Sequence, residues 1–133
     1  MTDDETTQTF IEALQTLERE SEPEQLVALF APESTIGNIV ATHEFTGPEG
    51  ARAFWTTYRE TFGEVSSTFR NVISGDGRAA LEWTTTGTSV AGVPIAYDGV
   101  SILEMSDGQI VRFRAYFDPN DLGRQIAGTT QET

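Results

Sequence analysis

The sequence has no cysteine, no lysine and a single histidine among its 133 residues. Without cysteine there are no disulfides, no thiolate metal sites and no sulfur nucleophile. With His43 alone, no histidine pair can grip a metal and no scattered zinc triad exists, so neither metal nor cofactor is expected. No apolar run approaches the ~20 residues that cross a bilayer, and the acidic N-terminus is unlike a secretion signal. The default expectation is therefore a cytoplasmic protein. Positive charge is scarce as well: eight arginines stand against 21 acidic residues, a net charge of -13. Such a surface repels nucleic acid and anionic membranes, which removes both as partners. An acidic, lysine-free, threonine-rich chain resembles proteins of salt-rich cytoplasm, where counterions screen self-repulsion, and it predicts a halophilic source.

What remains reads as one globular domain spanning residues 1–133, with 38% hydrophobic residues and disordered tails expected at 1–6 and 128–133. From Thr6 or Thr7 to Glu20, Phe10, Leu14 and Leu17 recur at helical spacing beside Ile11 and Ala13. Ser21, with Glu24 three residues on, looks like the cap of a second helix carrying Leu26, Val27, Leu29 and Phe30 and ending near Pro32. Short extended pieces are expected between Ser34 and Phe45. Gly47-Pro48-Glu49 opens a third helix to about Phe62, with Pro48 tolerated in its first turn. Ala51, Phe54, Trp55, Tyr58 and Phe62 share one face of it.

The remainder predicts three hairpins with glycine-ended turns at Gly75-Asp76-Gly77, Val90-Ala91-Gly92 and Ser106-Asp107-Gly108. A two-residue Asp-Gly turn would pair Leu103 with Arg112 and mix the faces. Three-residue turns separate them, because a one-residue slip exchanges every side chain between faces. Leu103 then faces Val111, Ser101 faces Phe113, Gly99 faces Ala115 and Tyr97 faces Phe117. Further along, Trp83 opposes Gly99, Thr85 opposes Tyr97, Phe69 opposes Trp83, Asn71 opposes Leu81 and Ile73 opposes Ala79. The inner face is bulky at its ends and small at Gly99 and Ala115. A curved sheet with such a gap can enclose a cavity under helices, unless a large side chain fills it. Asp118-Pro119 begins a terminal helix to about Ile126.

Two helices, short strands, a helix begun at Gly-Pro-Glu and four long strands ending in Tyr116-Phe117-Asp118-Pro119 resemble the nuclear transport factor 2-like superfamily. Leu81-Glu82-Trp83, Gly87-Thr88, Gly99-Val100-Ser101 and Asp107-Gly108-Gln109-Ile110 are similar to its SnoaL-like branch, the polyketide cyclase and ketosteroid isomerase relatives. The resemblance, over roughly residues 7–126, implies an α+β fold. A cone-shaped, curved antiparallel sheet of cystatin-like type would be covered by three helices from the N-terminal and middle parts. It also implies one enclosed pocket and a homodimer through the outer sheet face. The superfamily spans many reactions, so fold does not choose among them. The isomerase base position is matched by Asn38, and the oxyanion donors by Leu14 and Ser101. Neither an amide nor leucine can do that chemistry. The epoxide hydrolase network falls on Ala115 and on Trp83-Thr84-Thr85 and also fails. The cyclase histidine after Gly-Thr is replaced by Ser89, which leaves Asp98 as the nearby carboxylate.

The expected pocket wall is Asn38, Trp55, Tyr58, Trp83, Tyr97, Gly99, Ser101, Phe113, Ala115 and Phe117. Tyr97, Asp98 and His43 are the candidate reacting groups, Asp98 pointing outward and His43 lying near the rim. Glu82, Arg112, Arg114 and Tyr116 form the expected dimer face, with the arginines paired to Glu104 and Glu82. The function expected is binding of a small, largely apolar, oxygen-bearing molecule. Two alternatives are a non-catalytic dimeric scaffold and lyase, isomerase or cyclase chemistry on a polyketide- or steroid-like substrate.

Overall fold

The computed structural model describes residues 2–41 and 43–126. The first helix, α1 (Asp3–Glu20), begins earlier than apolar spacing alone predicts. Thr2 and Glu5 form a reciprocal capping box: the Thr2 hydroxyl accepts the Glu5 N–H at 3.1 Å, and Glu5 accepts the Thr2 N–H at 2.8 Å. Residues 3–6 are therefore helical rather than a disordered tail, and Thr6 is fully buried. Its hydroxyl reaches the Gly108 carbonyl at 3.2 Å, and Asp3 accepts the Gly77 N–H at 2.8 Å. These contacts tie the helix start to two hairpin turns. Residues 128–133, expected as a second tail, lie outside the described residues.

Ser21 does not start the second helix. It ends the first, in the left-handed conformation (φ 58°), with its N–H bonded to the Leu17 carbonyl at 2.8 Å. Helix α2 is a single turn (Glu24–Val27), and Phe30 already opens a nine-residue strand, β1 (Phe30–Asn38), in place of short pieces. The chain continues through β2 (Phe45–Thr46), α3 (Gly47–Glu60), β3 (Phe62–Gly75), β4 (Arg78–Ser89), β5 (Pro94–Ser106), β6 (Gln109–Phe117) and α4 (Pro119–Ile126). The Asp118 carboxylate caps α4, accepting the Asn120 N–H at 2.9 Å. Among the described residues no helix is long and apolar enough to cross a membrane.

The fold is α+β: helices lie against one six-stranded, curved, unclosed sheet in the order β2-β1-β6-β5-β4-β3. One pair departs from the antiparallel expectation, since β1 runs parallel to β6. The turn between β4 and β5 is the expected three-residue loop, so Trp83 opposes Gly99 and Thr85 opposes Tyr97. The other two hairpins are tighter. Asp76 and Gly77 (φ 53° and 75°), like Asp107 and Gly108 (φ 54° and 77°), both have positive φ, as two-residue hairpin turns require.

Each tight hairpin restores its apolar face with a one-residue bulge. In β3 the extra residue is Arg70, so Phe69 still opposes Trp83. Between bulge and turn, however, Asn71 meets Glu82 and Ile73 meets Ala80. Ile73 is consequently 69% exposed instead of on the inner face. In β6 the extra residue is Val111, on the second strand of its pair. Leu103 therefore opposes Phe113, Ser101 opposes Ala115 and Gly99 opposes Phe117, two residues from the expected register. A shift of two keeps the side chains from Arg112 onward on their expected faces, whereas Ile110, on the turn side of the bulge, takes the inner position opposite Met105 and is fully buried.

Two groups of buried side chains follow from this. Phe10, Leu14 and Leu17 of α1 and Phe54 and Trp55 of α3 pack on Leu81, Leu103 and Phe113. Phe62, Val65, Trp83, Ile95 and Tyr97 form the second group.

Candidate functional site

A cavity of about 500 Å³ borders both groups, between the concave sheet face and α3. Phe54, Trp55 and Tyr58 of α3 line its helical side, with Phe62 at the start of β3 beside them. Trp83, Tyr97, Ser101, Phe113, Ala115 and Phe117 line the sheet. Asn38, Val40 and Ala41 border it after β1, and Leu122 and Gly123 of α4 border it at the other end.

Gly99 is the expected wall residue that is not there. The Trp83 indole lies over it, and a Cβ at Gly99 would overlap that ring and stand 2.6 Å from the Tyr116 carbonyl oxygen. The small spot in the sheet is thus filled by a neighbouring side chain, and the open space lies beyond it. The indole N–H donates to the Ser101 hydroxyl at 2.9 Å, so Ser101 is occupied. Asn38 serves its own loop: its side-chain oxygen accepts the Val40 and Ala41 N–H groups at 3.0 and 2.9 Å.

Tyr97 differs from these. It is 8% exposed, and among the described residues its hydroxyl has no hydrogen-bond partner. Burial first, and then the charge of Glu18, pushes its pKa above the ordinary tyrosine value. The hydroxyl is accordingly held as a neutral donor. Tyr97 meets Trp83 edge to face (5.4 Å, 85°) and Phe117 at 5.6 Å and 68°, contacts that set the ring's direction.

Sequence reasoning missed Glu18. It is 3% exposed on α1, one helical turn beyond Leu14, within the stripe that buries Leu14 and Leu17. That i, i+4 position among apolar residues was the available signal. Its carboxylate accepts the Tyr58 hydroxyl at 2.8 Å, the Ser67 N–H at 2.8 Å and the Ser67 hydroxyl at 2.6 Å. Ser67 in turn shares a hydrogen bond with Thr85 at 2.7 Å. Burial and then the Glu18 charge raise the Tyr58 pKa well above its usual range. Tyr58, Ser67 and Thr85 all border the cavity, so the carboxylate stands one hydrogen bond behind its wall.

The other two candidate reacting groups lie elsewhere. Asp98 is on the outer sheet face, its carboxylate accepting the Thr84 hydroxyl at 2.6 Å with Arg70 at 3.5 Å. His43 is exposed and meets the Phe45 ring at a tilt, 4.8 Å between centroids and 42° between planes. Neither borders the cavity. On the outer face Arg112 pairs with Glu104 at 3.6 Å. Glu82 is taken by Arg70 (3.4 Å) and Asn71 (2.6 Å), whereas Arg114 lies over the Tyr116 ring at 5.4 Å. Among the described residues no group of three or more carboxylates or imidazoles could hold a metal ion.

Solved structures share this architecture at low identity. A putative isomerase from Rhodopseudomonas palustris is 15% identical over 96% of this chain and 99% of its own, with a TM-score of 0.83. TerC, co-crystallised with polyporic acid, is 18% identical over 93% and 97%, with a TM-score of 0.80. An NTF2-like protein from Anabaena variabilis is 17% identical over 92% and 97%, also at 0.80. No curated protein matches the sequence. The profile of the SnoaL-like domain matches residues 7–113, and that stretch carries α1, the sheet through Phe113 and most of the cavity wall. The chain therefore belongs to the SnoaL-like domain family.

Proposed function

We propose that this protein binds a small, largely apolar molecule in the cavity, and that Tyr97 donates a hydrogen bond to a carbonyl or hydroxyl oxygen of that molecule. The observation that carries this reading is the unpartnered Tyr97 hydroxyl on the wall of an aromatic cavity of about 500 Å³. Such a space suits a drug-sized ligand, and one placed donor fixes its orientation. Chemistry of the lyase, isomerase or cyclase class on a polyketide- or steroid-like substrate fits the same arrangement. There Tyr97 would stabilise charge developing on the ligand oxygen. A thermal-shift screen of steroids, polyketide-like aromatics and terpenoid epoxides in molar salt tests the reading. Binders should raise the melting temperature of the wild type and act more weakly on Tyr97→Phe. No shift from any of the three classes would overturn it.

A second reading, a dimeric scaffold without turnover, is favoured by the outer sheet face. Tyr116 is 37% exposed there and Ile73 69%. Glu82, Arg112, Arg114 and Tyr116 would then form the homodimer face, with arginines supplying interface ion pairs. Sedimentation velocity of Tyr116→Glu against the wild type tests this. The variant should be monomeric at concentrations where the wild type is dimeric.

A further inference from the structure

Among the described residues no charged side chain lines the cavity, yet the Glu18 carboxylate lies just behind its wall. Among the described residues the Glu18 carboxylate receives hydrogen bonds from neutral groups alone: the Tyr58 hydroxyl, the Ser67 N–H and the Ser67 hydroxyl. Among the described residues no arginine pairs with it. The ion pairs of Arg19, Arg52, Arg70, Arg112 and Arg124 all go to other carboxylates. A buried carboxylate is costly to leave without a countercharge. Its field also reaches the cavity, since after burial it is the next cause that raises the pKa of both wall tyrosines.

The rest of the wall suits a cation. Trp55 stands at 81° to Tyr58 and Trp83 at 85° to Tyr97, so the rings present π-faces and edges in several directions. Aromatic faces attract desolvated cations, quaternary ammonium groups above all. An anion would meet a like charge behind the wall and find no arginine among the lining residues.

From this we infer that the ligand brings the missing countercharge. It is a protonated tertiary or quaternary amine, seated against Tyr58 and Ser67 in front of Glu18, with its oxygen directed at Tyr97. The inference rests on the reading that the cavity is a ligand site, and adds the sign of the ligand's charge.

Three probes of nearly one shape test it by calorimetric titration in molar salt, where surface charges are screened within about 3 Å. They are 4-tert-butylcyclohexanol, its trimethylammonium isostere, and 4-hydroxycyclohexanecarboxylate. The cation should bind at least about tenfold more tightly than the neutral probe, and the anion more weakly than both. In Glu18→Gln the ratio of cation to neutral affinity should fall to about twofold or less. Glu82→Gln, on the outer face, should leave the ratio unchanged. A cation that binds no better than the neutral probe overturns the inference and leaves the ligand reading standing. That wild-type comparison decides even if Glu18→Gln fails to fold. An unchanged ratio in Glu18→Gln, or an equal loss in Glu82→Gln, also overturns it. If none of the probes binds, both readings fall.

Discussion

The Tyr58 hydroxyl on α3 donates to the Glu18 carboxylate on α1 at 2.8 Å, across a sequence separation of 40 residues. Through Ser67 and Thr85 the same carboxylate is linked to β3 and β4. One side chain thus fixes where two helices sit against the sheet and how far apart the cavity walls stand.

Removing that acceptor should be costly. Glu18→Ala leaves the Ser67 N–H, the Ser67 hydroxyl and the Tyr58 hydroxyl without their partner in a buried setting. The expected loss is about 3 kcal/mol of unfolding free energy. Glu18→Gln, which keeps an acceptor oxygen, should lose less than half of that. Urea denaturation of the two variants beside the wild type makes the comparison, and equal losses would argue against the network.

Alkaline pH should weaken the fold through the same tyrosines. Tyr58 and Tyr97 have pKa values raised by burial and by Glu18, so the folded state holds their protons longer than the unfolded state, where tyrosine titrates near about 10. Stability from this source is complete below about pH 10 and is lost as pH rises toward the folded values. Tyr97→Phe should flatten the decline between about pH 9.5 and 11 and cost less than about 0.5 kcal/mol at neutral pH, since its hydroxyl has no partner among the described residues. Chemical denaturation across that range reads both effects.

Gly99→Ala should disturb the site as well as the sheet. The new Cβ would overlap the Trp83 ring, whose N–H holds Ser101 at 2.9 Å. Overpacking of this kind costs about 1–3 kcal/mol. The displaced indole would intrude on the cavity, so ligand affinity should fall along with stability. Tryptophan fluorescence in a Trp55→Phe background, which leaves Trp83 as the emitter, and denaturant midpoints, measured together, check this. A variant of wild-type stability with an unshifted emission spectrum would contradict the packing described.

Salt should stabilise the protein. With a net charge of -13 and no lysine, surface repulsion acts against the folded state at low ionic strength. The melting temperature should rise by several degrees between low and molar sodium chloride. A flat or falling profile would count against a halophilic origin.

Much of the fold was legible because period and turn chemistry are local. The spacing of Phe10, Leu14 and Leu17 marked the first helix, Gly47-Pro48-Glu49 marked the start of α3, and Asp118 marked the cap of α4. The inner faces of β4 and β5 followed from alternation, and so did Trp83, Tyr97, Ser101 and Phe113 as wall residues. Bulges were not legible. A tight Asp-Gly turn with one extra residue and a looser three-residue turn give the same pattern of faces. Only pairing across the strands distinguishes Arg70 and Val111 as the extra residues.

The sequence alone determined the succession of helices and hairpins, the acidic surface and the ring-rich inner face, because each depends on composition, turn chemistry or short-range periodicity. Tertiary structure decided the chemistry of the site. Asn38 and Ser101 turned out to be occupied by their neighbours, the space over Gly99 was taken by an indole, and Glu18 became the charge behind the cavity wall. The physical reason is that a hydrogen-bond partner or a countercharge is set by residues brought together across the chain. Spacing along one strand or helix carries no record of who arrives from the other side.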